Sequence, residues 1–188
     1  MACRIENLGI AGCGEANLDG GAPNLVRHPG TGEEFAILST EEHAFILIDP
    51  RNRRGAHIQP DMTVFQRTSR RTVQGPGGGL YSIGFHRGQH YARRQTASLL
   101  VWDWKGAVSR PLFDLEMPHD TCVGIDFGAD GRLYLLLQGR LARLDLATQR
   151  EDAIMEKVNQ FACGQGEAWL YLLSGGRVSL SVGLAATF

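Results

Sequence analysis

Between two apolar runs, the stretch from His86 to Ala97 reads HRGQHYARRQTA and gathers His86, Arg87, His90, Tyr91, Arg93 and Arg94. Guanidinium groups pair bidentately with carboxylates and phosphates, and imidazoles can donate beside them, so this group could hold an acidic sugar or a phosphate. The residues expected to touch such a ligand are His86, His90, Arg93 and Arg94, with His119 and Asp120 from a second group. That second group sets His119-Asp120 near Asp126, and an imidazole beside carboxylates can act as a general base. His119 and Asp126 are therefore the catalytic candidates. Each group also has a plainer reading. The first can be a solvated loop, and in the second His119 can bond backbone at a strand entry while Asp126 faces a solvated channel.

Other chemistries find no local support. The six histidines show neither His-x-His nor His-Glu-x-x-His spacing, and Cys3, Cys13, Cys122 and Cys163 form no Cys-x-x-Cys pair, so neither a metal nor a cofactor is expected. There is no Gly-x-Ser-x-Gly elbow. A strand candidate, Arg4 to Ala11, does lead into Gly12-Cys13-Gly14, as a dinucleotide fingerprint begins. Asn17 then takes the third glycine's place, and Gly20, Gly21, Pro23 and Pro29 exclude the helix that would hold a pyrophosphate.

The elements that must position these residues are strands. In Thr121 to Lys157 an alternating run, Cys122 to Phe127, stops at Gly128-Ala129-Asp130-Gly131; Leu133 to Leu137, Leu141 to Leu146 and a weaker Ala153 to Met155 follow, separated by short turns. Four short strands in about forty residues make one antiparallel meander. Similar units span about 22–60, 62–117 and 158–188 around this one at 118–157. Their first-turn glycines, Gly32, Gly78, Gly131 and Gly166, recur about every 45 residues, which points to a propeller. The fold expected is all-β, a β-propeller or partial propeller with about four blades of four strands; a β-sandwich is the alternative. The chain is read as one domain, 1–188, in which Arg4 to Ala11 is a possible closing strand, or as a piece of a longer propeller that pairs with the remainder or with a second copy.

Composition narrows the partners. A formal net charge of -1 disfavours a nucleic-acid binder that works by overall charge, and no apolar run approaches a membrane span. Lys105 and Lys157 are the only lysines, so positive charge is almost all guanidinium. Two arginine clusters, Arg51, Arg53 and Arg54, and Arg67, Arg70 and Arg71, are read as solvated turns. The cysteines are read as small buried hydrophobes in a reducing compartment, which with no signal-peptide pattern suggests the cytoplasm; a Cys3–Cys163 bridge is the alternative. Trp102 and Trp104 share a strand face by the period-2 rule and are expected to pack between sheets rather than stack on sugar.

Pro118-His119, Cys122 to Phe127, the Gly128 to Leu133 turn and Leu144-Asp145-Leu146-Ala147-Thr148 together resemble a WD40 or NHL-type propeller repeat. Val101-Trp102-Asp103-Trp104 is similar to the WD dipeptide strand, and Ile48-Asp49-Pro50 is a weaker echo. Pro118 stands where the Gly-His dipeptide has its glycine. The resemblance implies a module that binds a protein or a small polar or anionic ligand through its loops. It also implies a minority alternative, a lyase or hydrolase acting on a carbohydrate or lactone, for which His86, His90, Arg93, His119 and Asp126 are the candidates.

Overall fold

The computed structural model describes residues 24–39, 45–52, 54–58, 61, 63–69, 71–87, 94–102, 104, 109–118, 123–163, 169–174 and 177–182. Among them the regular structure is strand, apart from one 3-10 turn at Pro76–Gly78, and it is organised as four consecutive antiparallel sheets. The chain is thus all-β, with the blade-like meanders that a propeller or partial propeller requires. It forms two compact units, Met1–His119 and Asp120–Phe188, each carrying two of the sheets. The proposed closing strand, Arg4 to Ala11, lies outside the described residues.

In the first unit, β1 (Asn24–Arg27), β2 (Glu34–Ser39), β3 (Phe45–Asp49) and β4 (Arg54–Ile58) pair in chain order. The continuous apolar run of β3 is covered on both faces, with Phe45, Ile46 and Ile48 all buried. Asp49 ends that strand by accepting the amides of Arg51 and Asn52 on Oδ1, so the turn is written into its first residue. Arg54, read from sequence as part of the turn, already belongs to β4.

The second sheet contains β5 (Phe65–Thr68), β6 (Val73–Gln74), β7 (Leu80–His86), β8 (Arg94–Trp102) and β9 (Ser109–Pro118), in the order β5-β7-β8-β9 with β6 also pairing β7. Its chemistry-rich connection is shorter than the sequence suggests, because His86 closes β7 and Arg94 opens β8. Val26, Ile37 and Phe45 of the first sheet share a core with Phe65, Leu80, Leu100 and Trp102 of the second. The Phe45 and Trp102 rings meet edge to face, 4.9 Å between centroids. Trp102 Nε1 donates to the buried Ser82 Oγ at 2.7 Å, which satisfies the indole's single polar atom. Trp104 lies beyond the end of β8, yet it too packs on this core, with its Nε1 donating to the Gly78 carbonyl. Both tryptophans therefore serve packing between sheets.

The second unit holds β10 (Val123–Phe127), β11 (Leu133–Leu137), β12 (Arg140–Asp145) and β13 (Arg150–Met155) in one sheet, and β14 (Gln160–Cys163), β15 (Trp169–Ser174) and β16 (Arg177–Val182) in the next. Tyr134, Leu136, Leu141, Val158, Leu170 and Leu172 form the core these sheets share, with Cys163 partly buried against it. Gly124 lets Phe161 lie directly on β10, since a Cβ there would come within 2.9 Å of the Phe161 ring. Three of the four periodic glycines have a physical reason as well: Gly32, Gly78 and Gly131 sit at φ of 70°, 83° and 72°, where a side chain would be strained, while Gly166 lies outside the described residues.

Candidate functional site

Three strands of the second sheet bring a histidine, a serine and a carboxylate together. Ser98 on β8 lies opposite Asp114 on β9 and opposite Gly84 on β7, and His86 is two residues along β7 on the same face. Ser98 Oγ is 2.6 Å from Asp114 Oδ1 and 2.7 Å from His86 Nε2, while His86 Nε2 and Asp114 Oδ1 are 3.7 Å apart. The Phe65 ring meets the imidazole edge to face at 5.0 Å.

The direction of these bonds decides what the group can do. An ionised carboxylate only accepts, so the single hydroxyl proton of Ser98 goes to Asp114. The Ser98 oxygen must then accept from His86, which places a proton on Nε2. A hydrolytic triad has the reverse order, with histidine between the other two and a bare nitrogen facing the serine. Here serine is the middle member, and only 1% of it is exposed. The relay fixes the imidazole at the strand end: the His86 side chain is 25% exposed and that of Asp114 is 65% exposed.

Of the other residues chosen from sequence, Arg94 is the first residue of β8, opposite Pro118. His90, Arg93, His119 and Asp120 lie outside the described residues. Asp126, on β10, is committed to structure: Oδ2 accepts the Cys163 amide of β14 at 3.2 Å and Oδ1 accepts the Phe127 amide at 3.0 Å. Its carboxylate therefore joins the two sheets of the second unit. Among the described residues, no three His, Cys, Asp or Glu side chains are placed to hold a metal ion.

A second polar group was not legible from sequence. Tyr134 is fully buried and donates to Asp130 Oδ2 at 3.1 Å, and burial, followed by the Asp130 charge, pushes its phenol well above the ordinary range. Arg143, opposite Tyr134 across the β11–β12 ladder, reaches Asp152 Oδ2 at 3.3 Å. The cross-strand register assembles this set, and only period-2 counting across two hairpins could have suggested it.

No family model matches the chain, and no curated protein does. Among solved structures it is similar to puromycin hydrolase, at 16% identity and a TM-score of 0.47, over 85% of this chain and 30% of that one. It is also similar to an auxiliary nutrient binding protein from Bacteroides thetaiotaomicron VPI-5482, at 13% identity and a TM-score of 0.36, over 90% of this chain and 58% of that one. The chain spans less than two thirds of the length of either, and at these scores neither protein's activity extends to it. No helix among the described residues is long and apolar enough to cross a membrane.

Proposed function

We propose that this chain is a binding module that offers the end of its second sheet, around His86 and Arg94, to a small polar or anionic ligand. The observation that supports this reading over hydrolysis is the direction of the His86–Ser98–Asp114 relay. Ser98 is buried and gives its proton to Asp114, so the group is a brace and holds no activated nucleophile. A braced imidazole at the end of β7, with Arg94 opening β8 and His90 and Arg93 between them in the sequence, suits recognition of a carboxylate or phosphate by imidazole and guanidinium donors.

Isothermal titration with glucuronate and with inorganic phosphate tests the proposal. Saturable binding of one probe is expected, weakened about tenfold or more in an Arg93→Ala/Arg94→Ala variant, as losing a charge-assisted pair implies. The absence of saturable binding to either probe would overturn it. So would turnover of a lactone or ester that His86→Ala abolishes, and that result would install the hydrolase reading instead.

A further inference from the structure

Among the described residues, several turns are closed by one side-chain acceptor that takes the amides two and three residues ahead. Asp49 does so for Arg51 and Asn52, and Asp145 for Ala147 and Thr148. In the β1–β2 turn the acceptor is a histidine: His28 Nδ1 takes the amides of Gly30 and Thr31, both at 3.1 Å. Imidazole can fill the position of an aspartate oxygen only while Nδ1 is bare, with any proton on Nε2. A proton on Nδ1 would replace an acceptor with a donor aimed at two other donors.

This turn also supports the seam between the first two sheets. The Pro29 ring rests on Gly78, where an added Cβ would come within 2.6 Å of it. His28 meets Trp104 edge to face at 5.0 Å, and Trp104 Nε1 donates to the carbonyl of that same Gly78. Beside the seam, the Gln74 side chain pairs with the backbone amide and carbonyl of Arg27.

We infer that His28 makes the β1–β2 turn a pH-sensitive clasp, closed when Nδ1 is unprotonated and released when a proton from solvent occupies it, loosening Pro29 and Trp104 from the Gly78 turn. Histidine is the side chain whose ordinary charge change falls between about pH 5 and 8, whereas the aspartates that close the sister turns keep their acceptors through that window. The charged groups on the clasp's own hairpin are Arg27, Glu33 and Glu34; Arg27 is paired with Glu34, and Glu33 accepts from the Thr31 hydroxyl. From the second sheet, the Gly75 to Gly79 turn and Trp104 bring no charged group among the described residues.

The test compares wild type with His28→Asn, whose side-chain oxygen keeps an acceptor for the turn and does not titrate. Amide NMR signals of Gly30 and Thr31 and the indole N–H signal of Trp104 are followed from pH 8 to pH 5. In wild type the two amides and the Trp104 indole signal are expected to change together with the His28 ring signals, and Tm to fall by about 2–4 °C across the window. In His28→Asn the Gly30 and Thr31 amides and the Trp104 indole signal should stay flat, and the fall in Tm should shrink to what the other five histidines contribute. Gly30 and Thr31 amides that ignore the His28 titration would overturn the inference, as would an unchanged response in His28→Asn. Because asparagine preserves the turn, the outcome stays readable even if His28→Ala does not fold.

Discussion

Replacing Asp126 tests a structural role for the carboxylate that sequence singles out. Its Oδ2 accepts the Cys163 amide at 3.2 Å, bridging β10 and β14, and its Oδ1 holds the Phe127 amide at 3.0 Å. A hydrogen bond to a charged acceptor contributes about 1.5–3 kcal/mol, and an orphaned, partly buried amide costs about 1–3 kcal/mol. These overlap as one loss, so Asp126→Ala should destabilise the fold by about 2 kcal/mol. At about 2–4 °C per kcal/mol for a chain of this size, Tm should fall by about 4–8 °C. Asp126→Asn keeps an oxygen facing the amide and loses only the charge, so its cost should be about half as large. Urea unfolding followed by circular dichroism at pH 7 reads both, with a shifted midpoint and an unchanged slope as the expected signature. An Asp126→Ala variant within about 0.5 kcal/mol of wild type would refute the bridge, because ordinary surface substitutions fall in that range.

Two further outcomes follow from the cores and turns. Trp102→Ala should cost about 3–5 kcal/mol, as for other large core truncations, whereas Trp102→Phe should cost about 1–3 kcal/mol by depriving the buried Ser82 hydroxyl of its indole partner; chemical denaturation distinguishes the two, and a Trp102→Phe variant as stable as wild type would mean that the Ser82 bond carries no net stability. Bonds to the Asn52 side chain and to the Thr148 amide, respectively, are the leading causes that hold Asp49 and Asp145 below the ordinary carboxylate value of 3.8. A lowered folded value means stability present above the unfolded pKa and lost as pH falls through the folded one. Wild type should therefore lose stability below about pH 4, and Asp145→Asn, which keeps an acceptor that does not ionise, should show a shallower acid limb in Tm measured from pH 5 to pH 2.

The strands that sequence reading places well are those whose period is unbroken. β10, β11 and β12 alternate or run apolar between turns that need a positive φ, so glycine and the hydrophobic pattern mark the same boundaries. β5 escapes the reading because its pairing with β7 is irregular between Phe65 and Arg67, and an inserted residue erases the alternation that a strand would otherwise show. The same cause hides the polar relay. A register shift between Leu99 and Leu100 moves β9 by one residue, so counting back from the β8–β9 turn sets the wrong neighbour against Ser98. Asp126 was visible as a carboxylate in a strand, but its partner amide is 37 residues away and belongs to the next sheet. Local pattern carries no information about that partner, so the sequence leaves the structural and the catalytic reading of Asp126 side by side.

The two seams share a design that explains why polar groups sit where apolar packing would seem sufficient. Aliphatic and aromatic side chains hold each pair of sheets together, but burial of apolar area is nearly indifferent to a slide of one sheet along the other. A directional bond is not. In the first unit the Gln74 amide both donates to and accepts from the Arg27 peptide, as a strand partner would. Asn24 Nδ2 adds a second bond to the Thr72 carbonyl at 3.0 Å. In the second unit a single carboxylate, Asp126, captures the Cys163 amide. Sliding either pair by one residue would leave these groups without their partners, at about 1–3 kcal/mol for each buried polar group orphaned. The clasp at His28 belongs to the first seam, and it differs from the others in that its acceptor can be switched off by a proton while the apolar core stays intact. Loosening at that edge should therefore change the spacing of the β1–β2 turn and the Gly78 turn without unfolding the sheets. At pH 5.5 the hydrogen-exchange protection of Gly30, Thr31 and Gly78 should then be lower in wild type than in His28→Asn, while Ile37 and Leu100 remain protected in both.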